Sequence, residues 1–160
     1  MVELHHGTLS RVQPSDVVVA PIINKTGQVD DIPGIELRRA FQSSLIARFY
    51  SAMALPYTDL RVRDAAYKPG SLYEDAVLQI VVNKWDLARW EEHREVVVDL
   101  EAWMLAPTDS TQLWGGQFKK TFYLGREMAH LATEKGAFAE TAQLIATELL
   151  EIMPARVRQP

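Results

Sequence analysis

The clearest regularity in the chain is a two-residue alternation. Over residues 75–85 the even positions Ala76, Leu78, Ile80 and Val82 are apolar, and over residues 94–105 so are Val96, Val98, Leu100, Ala102 and Met104. In the second stretch Glu95, Asp99 and Glu101 occupy odd positions. Successive side chains of a strand point to opposite faces, so this pattern predicts two half-buried antiparallel strands. The polar residues 87–93 between them would form the hairpin loop. After the turn formers Pro107-Thr108-Asp109-Ser110, residues 112–124 read as a third strand of the meander. Within it, Gly115-Gly116 predicts a bulge or a close backbone approach.

A different period governs other segments. Leu37, Phe41, Leu45 and Phe49 recur at four-residue spacing, with Ala40 and Ala47 widening the stripe. That is the buried face of an amphipathic helix, with Asp31 able to cap it and Pro33 in its first turn. Phe138, Ala142, Ile145, Leu149 and Ile152 make a second stripe, closed by Pro154. Helical character is expected from about Glu127 onward, with Gly136 dividing it into a short and a long helix. The valine-rich residues 16–21 read as a buried strand. Leu60, Val62 and Ala65 are consistent with a short edge strand. Residues 1–15 are polar and aperiodic and read as a flexible arm. The prediction is therefore a single α+β domain over residues 16–160. It would be a two-layer sandwich with a mostly antiparallel sheet of about 4–5 strands, and the early and C-terminal helices on one face.

Composition narrows the function classes. With 160 residues, 48% of them hydrophobic, the chain can bury one substantial core. Lys plus Arg number 17 against 21 acidic residues, a formal charge of -4, so no broad basic footprint for nucleic acid is expected. The absence of cysteine excludes disulfides, thiolate metal sites and thiol catalysis within the chain. No apolar run approaches the roughly 20 residues that span a bilayer. The opening Met-Val-Glu-Leu-His-His lacks the pattern of a signal peptide, which fits either a cytosolic protein or a mature fragment.

Asn24-Lys25-Thr26-Gly27, between the first strand and the helix, is a candidate ligand loop. A phosphate-binding P-loop requires G-x-x-x-x-G-K-[ST], whereas here Lys25-Thr26 precedes a single Gly27. The histidines His5, His6, His93 and His130 show no H-E-x-x-H spacing, so no metal site is expected. Ser43-Ser44 lie inside the helical stripe, without a nucleophile-elbow motif. Asp99 and Glu101, about 7 Å apart on one strand face, have the separation of a glycosidase pair but also that of an ordinary exposed sheet face. No catalytic set or cofactor site emerges, and the expectation is a protein that is not an enzyme. Among the tryptophans, Trp85 and Trp103 fall at odd positions with Val77, Val81 and Val97, and Trp90 lies in the hairpin loop. If residue 77 pairs with 103 and 85 with 95, an apolar band crosses the polar face. Trp85, Trp90 and Trp103 are the candidate anchors for a partner or for self-association, unless a helix or the arm covers that face.

Three phrases, in order, carry a resemblance. "DVVVAPIINKTG" at residues 16–27 resembles "VAVLPFxNxTG", "EDAVLQIVV" at 74–82 resembles "ADxVLxGxV", and "WMLAPTDSTQLWGGQF" at 103–118 resembles a strand ending "LVDxxTGxxLWSGxF". These phrases mark a group of bacterial envelope proteins that includes the amino-terminal domain of TolB, the curli-export lipoprotein CsgG and related small lipoproteins. Ile22 departs from the expected aromatic or leucine, and Thr108-Asp109-Ser110 departs from the usual turn. The lipid-bearing cysteine is missing, so any anchor would lie upstream, and the exporter's pore-forming insertion has no counterpart. The resemblance implies a non-catalytic assembly module on the periplasmic side of the envelope. Its partners would be envelope proteins or further copies, with membrane attachment, the outer membrane included, only through a preceding segment. The alternative is a cytosolic domain that binds a small molecule or nucleotide through Asn24, Lys25, Thr26 and Gly27.

Overall fold

A computed structural model describes residues 1–27, 32–63, 68–123 and 134–157, of which 134–137 as backbone only. The three predicted meander strands are present as β5 (Ala76–Asp86), β6 (Glu95–Leu105) and β7 (Gln112–Tyr123). They pair antiparallel in sequence order, and the even residues of β6 are all buried. Period-two patterning thus sets which face of this sheet is dry.

The sheet extends beyond the predicted strands on both sides. Its order is β1-β7-β6-β5-β2-β4, with β3 also on β5, making seven strands rather than the expected four or five. β1 (Val2–His5) pairs antiparallel with β7, and α1 (Leu9–Val12) follows it. Residues 1–15 therefore do not form a separate arm, since their first half completes one edge of the sheet. The alternation of Val2 and Leu4 was too short to stand out beside the longer strands.

The other half of the sheet is parallel. β2 (Asp16–Val19) and β3 (Ile23–Asn24) both run along β5, as two pieces of one interrupted strand. Pro21 lies in the gap, where a missing amide donor interrupts a ladder least. α2 (Gly34–Ala47) then carries the chain back to β4 (Ser51–Ala52), which pairs parallel with β2. This is a compact strand-helix-strand crossover. β2 has neighbours on both sides and Val17, Val18 and Val19 are all buried, as a continuous β-branched run implies.

α2 and α5 (Glu134–Glu151) pack against each other and cover one face of the sheet. Leu37, Ala40, Phe41 and Leu45 from α2 meet Phe138, Ala142, Ile145 and Leu149 from α5 in a single core with the even side chains of β5 and β6. Phe49, expected in the helical stripe, lies beyond the end of α2. The amide of Tyr50 reaches back to Leu45 O, and Phe49 sits at φ 69, the position where such a helix end usually holds glycine. Gly136 does not break α5, which runs unbroken from Glu134. The shorter helix expected before it, the cap at Asp31 and the strand residue Ala65 lie outside the described residues.

Leu60 and Val62 belong to a helix, not an edge strand. α3 (Leu55–Val62) begins with Pro56 in its first turn, buries Thr58 and packs beside β2 at the β4 edge. Arg38 of α2 ties it down by an ion pair to Asp59 at 2.8 Å, while also donating to Val19 O at 2.8 Å. Among the described residues no helix is long and apolar enough to cross a membrane.

Candidate interaction surface

The three tryptophans singled out from the sequence do not share a surface. β5 has a register shift between Val82 and Lys84, so Val82 faces Leu100 while Trp85 faces Val98. One extra residue reverses the alternation, and Trp85 moves to the side of Val82 and the helices. Its side chain is 1% exposed and meets Phe138 edge-on at 6.0 Å. The expected pairings change too: Val77 lies opposite Leu105, and Trp103 opposite Gln79. Trp85 is a core residue, and its assignment as an exposed anchor is withdrawn.

Trp90 lies in α4 (Trp90–His93), a single turn within the predicted hairpin loop. The residue is half-buried, with its ring centre 5.6 Å from that of Phe138 and the Arg94 guanidinium 5.3 Å from the ring centre. It closes the end of the core and presents a cation over an aromatic face.

Trp103 alone occupies the face away from the helices, half-buried in the middle of the sheet. Opposite it on β7 is Gly115, where a Cβ would come within 2.2 Å of the indole ring. The ring therefore lies flat on bare backbone, the close approach that the glycine pair predicts. The next residue repeats the device on the other face. A Cβ on Gly116 would meet Trp114 at 2.7 Å and Leu149 of α5 at 3.0 Å.

Around Trp103 the polar groups are held by one another. The indole N–H donates to Glu101 Oε2 at 3.0 Å, and Asn83 Nδ2 donates to Glu101 Oε1 at 3.4 Å. Gln117 Nε2 donates to Asp99 Oδ1 at 2.9 Å. Asp99 and Glu101 do share a face, as expected, but each is engaged by a neighbouring donor on the sheet.

The Asn24-Lys25-Thr26-Gly27 loop is a tight turn. Asn24 Oδ1 accepts from Thr26 N at 2.9 Å and from Thr26 Oγ1 at 2.7 Å, and Gly27 takes φ 79. Lys25 N donates to Val82 O at 2.9 Å. Two amides that a phosphate cradle would need are thus already bonded within the protein. The Lys25 side chain is exposed. Of the histidines, His5 bonds Gln112 O, His6 pairs with Glu3 and His93 with Glu92, while His130 is outside the described residues. Among the described residues no cluster of three metal-ligating side chains occurs.

At the end of the molecule where α2 and α5 finish, the C-terminal segment is strapped down. Tyr50 OH donates to Pro154 O at 2.7 Å, Arg48 donates to Met153 O, and Val157 N donates to Gln13 Oε1 at 2.8 Å. Burial pushes the Tyr50 phenol up to about 12, with Arg48 and Arg156 nearby pulling the other way. On the turn between β6 and β7, the hydroxyl and amide of Thr111 hold Asp109 below the usual carboxylate range.

Two groups of surface residues that the sequence reading missed lie at the two ends of the sheet. Val2 and Leu4 on β1 are 59% and 42% exposed, and Tyr57 and Leu60 on α3 are 47% and 70% exposed. Both were hidden by misassigned elements: an arm in one case, a strand in the other. The signals available were a short alternation, and Tyr57, Leu60 and Arg61 at helical spacing.

No protein-family model matches the sequence, and no curated protein matches it. Solved structures do match, over nearly the whole chain. The PelC dodecamer from Paraburkholderia phytofirmans aligns with a TM-score of 0.61 at 16% identity, covering 98% of this chain and 97% of PelC. The chain has this fold. Lipoprotein GNA1162 from Neisseria meningitidis aligns at 0.56 and 16% identity, covering 84% of this chain and 97% of that one. The hypothetical protein CT253 from Chlamydia trachomatis aligns at 0.53 and 8% identity, over 86% and 91%. At these identities the likeness establishes a common architecture.

Proposed function

We propose that the chain is a non-catalytic assembly module of the bacterial cell envelope, the globular part of a lipoprotein that works by joining copies of itself and other envelope proteins on the periplasmic side. The observation that carries this reading is the end-to-end likeness to a fold that PelC assembles into a dodecamer and that a neisserial lipoprotein also adopts. The sequence phrases at residues 16–27, 74–82 and 103–118 support the same group independently. Membrane attachment would come from a segment outside this chain.

The site chemistry is compatible with this role. The carboxylates on the open face are engaged by amide and indole donors, and the amides of the Asn24-to-Gly27 turn are bonded within the fold. The exposed apolar side chains include Val2 and Leu4 on the β1 edge and Tyr57 and Leu60 on α3 beside the other end of the sheet, groups of the kind protein-protein contacts use. Sedimentation velocity of the chain over a wide concentration range tests the reading. The expected result is a species of several copies of the 18.1 kDa chain. A monomer at every concentration would overturn it.

A further inference from the structure

The two ends of the sheet are built differently. At one end, β4 is two residues long and the chain passes directly into α3, which packs beside β2. Short edge strands covered by a helix are a common protection against unwanted pairing. At the other end β1 bonds to β7 on its inner side, and among the described residues no strand lies on its outer side. All four residues of β1 are exposed, including the apolar Val2 and Leu4. An apolar, unprotected edge is a liability in a monomer unless something covers it.

The complementary feature is on α3. Tyr57, Leu60 and Arg61 are spaced three and one residues apart on its outward face, opposite the buried Thr58. The Arg61 guanidinium lies 5.6 Å from the Tyr57 ring centre. This face is apolar and cationic, where an ordinary surface helix would be charged and mixed. β1 alternates the apolar Val2 and Leu4 with the polar Glu3 and His5, and the Glu3 carboxylate lies beside His6 at 3.0 Å. The two patches match in their apolar residues, Glu3 and Arg61 are opposite in sign, and the patches sit at opposite ends of one sheet.

We infer that the β1 edge of one copy docks against the α3 face of the next, so that copies join head to tail through Val2 and Leu4 on one side and Tyr57 and Leu60 on the other. This rests on the proposal that the chain self-associates, and it names the surfaces. A head-to-tail contact uses two different patches on each copy and closes into a ring when the rotation between copies allows. A two-fold contact would use one patch twice and would stop at a dimer.

The test uses the full chain and two single variants, Leu4→Arg and Leu60→Arg, both at exposed positions. Each should melt and show circular dichroism like the wild type. By light scattering the wild type should run as several copies, and each variant alone should fall to one copy. Each variant lacks a different half of the contact, so an equimolar mixture should recover a two-chain species and nothing larger. A mixture that stays monomeric overturns the head-to-tail arrangement. Variants that assemble like the wild type overturn the choice of surfaces while leaving self-association standing. A monomeric wild type overturns both.

Discussion

Two consecutive glycines place the two faces of the sheet side by side. Gly116 faces the helices, and the ring over it, Trp114, is completely buried with Leu149 of α5 closing in beyond. Gly115 faces the other way, and the ring over it, Trp103, is half-exposed and hydrogen-bonded to Glu101. The backbone device is the same, yet one ring is locked between layers and the other lies on an open surface. The difference shows where the stability of this protein resides. The helix-covered face holds the main core, while Trp103 on the other face is only half-buried.

The strongest way to break that comparison is to remove each ring. Trp114→Ala should cost about 3–5 kcal/mol in denaturant unfolding, as for large aromatic truncations in a core. Trp85→Ala belongs in the same range, because the bulge in β5 places it there too. Trp103→Ala should cost only about 1 kcal/mol, near the centre of the range for ordinary substitutions. Equal losses from Trp103 and Trp114 would mean that both faces are equally packed.

A smaller effect separates the glycines themselves. Gly116→Ala forces a methyl group between Trp114 and Leu149, and about 1–3 kcal/mol of overpacking is expected. Gly115→Ala makes the closer contact, yet the Trp103 ring can lift away from the sheet. It should therefore lose less stability than Gly116→Ala, while Trp103 fluorescence becomes more accessible to a soluble quencher. Unchanged quenching would show that the ring does not move.

The strap at the C-terminal end gives a pH-dependent comparison. The Tyr50 phenol is raised to about 12 when folded, against an ordinary value of 10.0. Above pH 10 the unfolded chain loses that proton and the folded chain keeps it, so stability is full below 10 and declines as pH rises toward 12. Tyr50→Phe should remove this decline, measured by denaturant melts at several alkaline pH values. The smallest effect expected is that of Lys25→Ala, within about 0.5 kcal/mol of the wild type. Nucleotides should leave the melting temperature of both proteins unchanged.

Much of the fold could be read from the chain because long elements repeat their signal. β6 alternates from Val96 to Leu105 with every even residue buried, and Leu37, Phe41 and Leu45 mark a helix face over successive turns. The failures came where the signal is short or interrupted. β1 offers only Val2 and Leu4, and Leu60 and Val62 alternate in sequence while lying in a helix started by Pro56. The misplacement of Trp85 has a specific cause. After Val82 two polar residues, Asn83 and Lys84, precede the next apolar one, and this phase change is the mark of the bulge. Strict counting from residue 76 passes over it and carries Trp85 to the wrong face. The close approach at Gly115 and Gly116 was legible because a glycine pair inside a strand has few other uses.

The absence of cysteine makes a direct test of the docking surfaces simple. A double variant, Leu4→Cys with Leu60→Cys, treated with a flexible bis-maleimide and run on a denaturing gel, should give a ladder extending well beyond the dimer in steps of the 18.1 kDa chain. Each single variant should remain at one copy, because like patches do not meet. A double variant that stays monomeric on the gel, under conditions where the untreated protein sediments as several copies, would contradict the account.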